Sequence, residues 1–132
     1  MPVDESAIGS EGVVVARVDE NLTADRYGNE GLEVLATPAL VGLFEQAAMR
    51  ALDGLLDPGE ASVGSLVEIT HLAPTPAGAE VTVRARLTRI DGREAWFELE
   101  AEDDRETVAR GRHSRVVIER ARFERLAARK RG

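Results

Sequence analysis

Few side chains in this 132-residue chain have types suited to chemistry: cysteine is absent and histidine occurs only at His71 and His113. Without cysteine there can be no disulfide framework, thiolate nucleophile or thiolate metal site. The carboxylate that stands out is Glu45, inside TPALVGLFEQAAMRALDGLL at positions 37–56. At roughly 100° per residue, Leu40, Phe44, Ala47, Ala48, Ala51 and Leu55 form one apolar stripe, widened by Val41, Met49 and Leu52. Gln46, Arg50 and Asp53 share the polar face. Glu45 does not project with them, because its neighbours at three and four residues' spacing are Val41, Gly42, Ala48 and Met49. A carboxylate placed there needs a partner, a raised pKa or a cleft containing water. The bland alternative is a glutamate that snorkels to solvent from the flank of an amphipathic helix.

The elements that must position it follow from periodicity. Thr37 is a preferred N-cap and Pro38 suits the first helical position, so a helix is expected from Thr37 to the Asp53-Gly54 stop, with Asp57-Pro58-Gly59 as a turn beyond. Residues 1–12 are polar and without period and read as a flexible arm. Residues 13–18 suit a strand, and residues 19–31 a loop or short mobile lid. After the helix the period falls to two. In residues 62–73 one face carries Val63, Val67, Ile69 and His71. Residues 80–90 put Val81, Val83, Ala85 and Leu87 opposite Glu80, Thr82, Arg84 and Arg86. Asp91-Gly92 is a hairpin turn, and Phe97, Leu99 and Ala101 then alternate with Glu98, Glu100 and Glu102. Residues 107–118 form a last strand of ambiguous facing, since Val108, Val116 and Ile118 have one parity and Ala109 and Val117 the other. Residues 121–130 suit a short basic tail helix. The expectation is an α+β domain over residues 13–132, in which a curved antiparallel sheet wraps one long central helix: the hotdog arrangement.

On that fold Thr37, Glu45 and the inward His71 converge on one interior. Thr37 and Glu45 lie roughly 12 Å apart along the helix, so a strand histidine or a substrate must come between them. A carboxylate can orient an imidazole or activate water, and a hydroxyl can attack or bind a carbonyl oxygen, which suits acyl transfer. An inward histidine is also an ordinary core residue. His113 reads as structural or near the cleft. Arg115 either faces the site, pairing with Glu45 or a phosphate, or is a solvated strand arginine. Gly64 either frees a backbone N–H for a carbonyl oxygen or marks a bulge.

Composition excludes other classes. A formal charge of −7 argues against nucleic-acid binding, the basic tail apart. No apolar run approaches the ~20 residues of a membrane span, and the acidic start does not resemble a signal peptide. A soluble, cytoplasmic protein is expected.

Through ATPALVGLFEQAAMRAL, GSLVEITHLAPTPAGAEVTV and GRHSRVVIERARF, the sequence resembles the fluoroacetyl-CoA thioesterase family of hotdog proteins over residues 13–123. The resemblance implies a catalytic Thr, Glu and His, which fall on Thr37, Glu45 and His71. It also implies an acyl-CoA or acyl-carrier thioester substrate, no metal and no cofactor beyond that coenzyme A, and a homodimer whose sheets join edge to edge. The aromatic lid of the specialised enzyme is not matched, because residues 25–33 offer only Tyr27 among Gly28, Asn29 and Gly31. A general acyl-thioester hydrolase is therefore expected, not a fluoroacetyl-selective one. The alternative is a non-catalytic hotdog that binds acyl-CoA or another small ligand. A hotdog dehydratase ranks last, since its Asp-to-His spacing is missing.

Overall fold

Leu40 and Phe44 are completely buried, and with Ala39, Leu43, Ala47, Ala48 and Ala51 they make the inward stripe of helix α1 (Thr37–Ala51). The computed structural model, which describes residues 3–132, sets that stripe against five strands: β1 (Glu11–Arg17), β2 (Glu60–His71), β3 (Glu80–Asp91), β4 (Glu94–Glu102) and β5 (Thr107–Glu119). They pair antiparallel in the order β1-β3-β4-β5-β2 and curl around the helix. A terminal helix, α2 (Arg120–Ala128), follows β5 and buries none of its residues. Among the described residues, no helix is long and apolar enough to cross a membrane.

The alternation in β3 and β4 sorts the sheet's two faces. Val81, Val83, Ala85, Leu87, Phe97, Leu99 and Ala101 are all buried. The opposite face carries exposed ion pairs, Arg84–Glu102 and Arg86–Glu98 at 3.3 Å and Arg112–Glu68 at 3.0 Å. Such pairs add little stability, but they keep that face wetted and leave one side for the helix. Contact with β1 is close because of Gly12. An added Cβ there would stand 1.9 Å from the Ala47 carbonyl oxygen and 2.6 Å from the Ala51 nitrogen, so any side chain would push strand and helix apart.

Four features differ from the sequence expectations. The meander is confined to β3, β4 and β5, because the chain leaving β2 at one edge crosses the sheet to reach β3, next to β1 at the other edge. Met49 is 43% exposed and lies outside the buried stripe. Strand β1 begins two residues early, and the stretch before it is docked: Val3 is buried, the Gly9 N–H donates to the Leu87 carbonyl and the Ser10 hydroxyl donates to the Ala51 carbonyl. Met1 and Pro2, the start of the expected arm, lie outside the described residues. The segment expected as a lid is a tied excursion, with the Ala24 N–H donating to the Val34 carbonyl and the Ala36 N–H to the Leu22 carbonyl.

Strand β2 sits at the edge of the sheet and runs twelve residues, and Gly64, Ser65 and Leu66 at its middle are exposed. Its register against β5 slips between Gly64 and Leu66, a bulge at Ser65. One long sheet edge thus runs beside the residues singled out above.

Candidate active site

The structure corrects the role read for Thr37. The N-cap is Ala36, whose carbonyl accepts from the Leu40 N–H, and the Thr37 hydroxyl makes no capping bond. Its Oγ1 lies 2.8 Å from His71 Nδ1. The capping preference lost because the imidazole, arriving from the end of β2, competes for the same hydroxyl. The hydroxyl is therefore committed to an imidazole.

His71 faces the interior, as the alternation of β2 indicated. Its Nε2 is buried and makes no hydrogen bond among the described residues. Burial pushes its pKa below the ordinary imidazole value, partly opposed by the Ala73 backbone, so the ring is neutral at neutral pH and Nδ1 can accept the Thr37 proton. The pair borders a cavity of about 400 Å³ whose walls include Ala24, Tyr27, Leu32, Leu35 and Leu72.

Glu45 stands in a second cluster. Its side chain is 35% exposed, and Oε2 lies 3.2 Å from Nη1 of Arg115, whose own side chain is only 4% exposed. The guanidinium is held on several sides: Nε donates to Ser62 Oγ at 2.8 Å, Nη2 to the Ser62 carbonyl at 2.9 Å, and Nη1 also reaches His113 Nε2 at 3.1 Å. Burial lowers the Arg115 pKa and the Glu45 carboxylate opposes that shift, so the cation persists against its counter-ion. Gly64 borders the same cluster, where an added Cβ would stand 2.5 Å from Glu45 Oε2. The bulge reading of Gly64 is met by the register slip beside it, and the missing side chain also leaves room for the carboxylate.

Within one chain, then, Thr37 and His71 meet, and Glu45 does not join them. It meets Arg115 instead, one of the two sequence expectations for that residue, and the solvated-arginine alternative is excluded. Sequence reasoning missed Ser62 altogether, since nothing marks a strand serine whose carbonyl and hydroxyl both serve one guanidinium. It also underweighted His113, completely buried with Nδ1 2.7 Å from the Leu66 carbonyl oxygen. Among the described residues no group of three or more His, Asp or Glu side chains is placed to hold a metal ion.

One helix clasped by a curled antiparallel sheet is the hotdog architecture. The family model for fluoroacetyl-CoA-specific thioesterases matches residues 18–121, and the chain belongs to that family. It is 42% identical over 91 residues to the fluoroacetyl-CoA thioesterase of Streptantibioticus cattleyicolor, an alignment that covers 69% of this chain and 66%, just under two thirds, of that protein. A solved point mutant of the fluoroacetyl-CoA thioesterase FlK in complex with acetyl-CoA superimposes with a TM-score of 0.88 at 32% identity, over 93% of this chain and 97% of that one. A hot-dog-like protein from Thermanaerovibrio acidaminovorans gives 0.88 at 28% identity, over 95% and 93% of the two chains.

Proposed function

We propose that this chain hydrolyses acyl-CoA thioesters in the cytoplasm, as a homodimer joined along β2. The observation that carries the reading is the 2.8 Å contact between Thr37 Oγ1 and His71 Nδ1 beside a cavity wide enough for an acyl chain. Neutral His71 accepts the Thr37 proton as Oγ1 attacks the thioester carbonyl, and the imidazolium returns that proton to the departing CoA sulfur. Water then attacks the acyl–threonine ester and gives a proton to a base, that proton passes to Thr37 Oγ1 as its bond to the acyl carbon breaks, and the carboxylic acid leaves.

Glu45 supplies that base through the dimer. Antiparallel pairing of two β2 edges about their middle reverses one strand against the other, so the half of each that carries Ser62 and Gly64 lies toward the half of its mate that ends at His71. The Glu45 cluster of one copy thereby approaches the Thr37–His71 pair of the second, which answers the separation seen within a single chain. The exposed middle of β2 supports this pairing, as an edge of that length is otherwise a site of uncontrolled association.

For selectivity, the lining favours acyl groups larger than fluoroacetyl. Tyr27 is the only aromatic side chain of the excursion, Gly28 and Gly31 have no neighbour within 4 Å of an added Cβ, and a volume of about 400 Å³ lies within the ~300–1,000 Å³ of pockets for larger ligands.

The test is release of free thiol from acetyl-, fluoroacetyl-, hexanoyl- and phenylacetyl-CoA. Turnover is expected with all four, and the last two should have kcat/KM at least equal to that of fluoroacetyl-CoA. Thr37→Ser should retain most of the rate, whereas Thr37→Ala should lose ~10²-fold. Because Thr37 caps nothing, the alanine variant should melt near the wild type, and its kinetic loss can be read directly. No thiol release above background from any substrate would leave the binding-protein alternative standing.

A further inference from the structure

The Thr37, His71 and Glu45 roles leave one buried titratable group unused. His113 lies on β5 with its ring packed against Phe97 of β4 at a centroid distance of 6.1 Å. The charged groups facing it are Arg115 on its own strand and Glu45 on α1, while β2 contributes the Leu66 carbonyl and Gly64. A carbonyl oxygen can only accept, so the 2.7 Å contact with Leu66 puts the ring proton on Nδ1. Nε2 then carries a lone pair, and the 3.1 Å contact with Arg115 Nη1 is a guanidinium N–H donating to it. The second proton of the same Nη1 goes to Glu45 Oε2. One nitrogen thus ties the imidazole to the carboxylate.

We infer that His113 is a positioning residue for Glu45: its neutral ring accepts from Arg115 Nη1 and so keeps that nitrogen on the Glu45 carboxylate. The inference rests on the hydrolase reading for its effect on rate and on geometry alone for the link itself. A protonated His113 has no lone pair and aims an N–H at a cation, so ring and guanidinium must part. The Nη1 swing then withdraws the bond to Glu45. Burial, and after it the Arg115 charge, favour the neutral ring, while the Leu66 carbonyl and the Glu45 carboxylate favour the charged one; the net shift is downward. The link therefore holds at neutral pH and opens as the solution is acidified through the lowered His113 pKa. This loss falls on hydrolysis of the acyl–threonine ester, whereas protonating His71 stops that ester from forming.

Two measurements test this, the first kinetic. Where hydrolysis of the acyl–threonine ester limits kcat, the logarithm of kcat in wild type should fall on the acid side through the His113 ionisation, and in His113→Gln, whose amide oxygen accepts without titrating, the limiting slope should be shallower by about one. His113→Gln should stay within about tenfold of wild type at neutral pH, whereas His113→Leu should lose about 10²-fold in kcat with kcat/KM nearly unchanged. Rates count only where the melt shows folded protein. Equal limiting slopes in wild type and His113→Gln would overturn the inference.

The second measurement needs no activity, so it stands even if hydrolysis is never observed. Nitrogen NMR of wild type should show His113 as the Nδ1–H tautomer, and Glu45→Gln, by removing a charge that favours the imidazolium, should lower its titration midpoint. An Nε2–H tautomer, or a midpoint unmoved by Glu45→Gln, would break the link.

Discussion

His71→Ala should lose on the order of 10³-fold in kcat, within the range of ~10²–10⁴ that positioned proton transfer contributes. The side chain does two things that alanine cannot: it accepts the Thr37 proton across the 2.8 Å contact, and it returns a proton to the leaving sulfur. The fold should survive, since the ring sits at the last residue of an edge strand and makes no other side-chain bond. The same residue sets a pH dependence. The active form is neutral, and burial lowers the pKa, so the rate is lost as pH falls through a midpoint below the ordinary value of about 6.5. Circular dichroism and steady-state thiol release suffice to check both. A kcat equal to wild type in a folded His71→Ala protein would remove the imidazole from the mechanism.

Glu45→Gln should cost ~10²-fold or more in kcat while substrate binding changes little, because the amide keeps the shape but cannot take a proton from water. Arg115 makes this variant more demanding than a surface change. The guanidinium loses its counter-ion but keeps the two bonds to Ser62 and the one to His113, and the introduced amide still offers an oxygen to Nη1. Some loss of stability is expected, as removing one member of a buried ion pair leaves the other uncompensated, though the partial exposure of Glu45 limits it. A melting curve must accompany the kinetics. Full hydrolysis in the glutamine variant would mean that Glu45 serves only to neutralise Arg115.

How far the chain could be read in advance depended on the range of the interaction. The α1 stripe and the inward face of β3 are set by neighbours three to four or two residues away, and both were legible. Glu45 stood out for the same reason, as a charge amid apolar neighbours. Thr37 was misread as a cap because capping preference is local, whereas its actual partner arrives from 34 residues downstream. The facing of β5 was obscured by polar residues at core-facing positions: Ala109, His113, Arg115 and Val117 are buried on one parity, and the hydrophobic alternation fails where His113 and Arg115 interrupt it. Those two residues break the pattern because they satisfy one another and Glu45 and need no water. The crossing of β2 to the edge beside β5 left no local signature at all.

Complementation between two disabled chains tests the shared site most directly. If each site takes Thr37 and His71 from one copy and Glu45 from the other, a dimer of one His71→Ala chain and one Glu45→Gln chain contains one site with every group intact and one lacking both. After the two purified variants are unfolded together and refolded at equal concentration, random pairing makes half the dimers mixed, each with one working site in two, so about a quarter of wild-type thiol release should return. Mixed samples that release no more thiol than the average of the two parents would contradict a site built across the β2 edge.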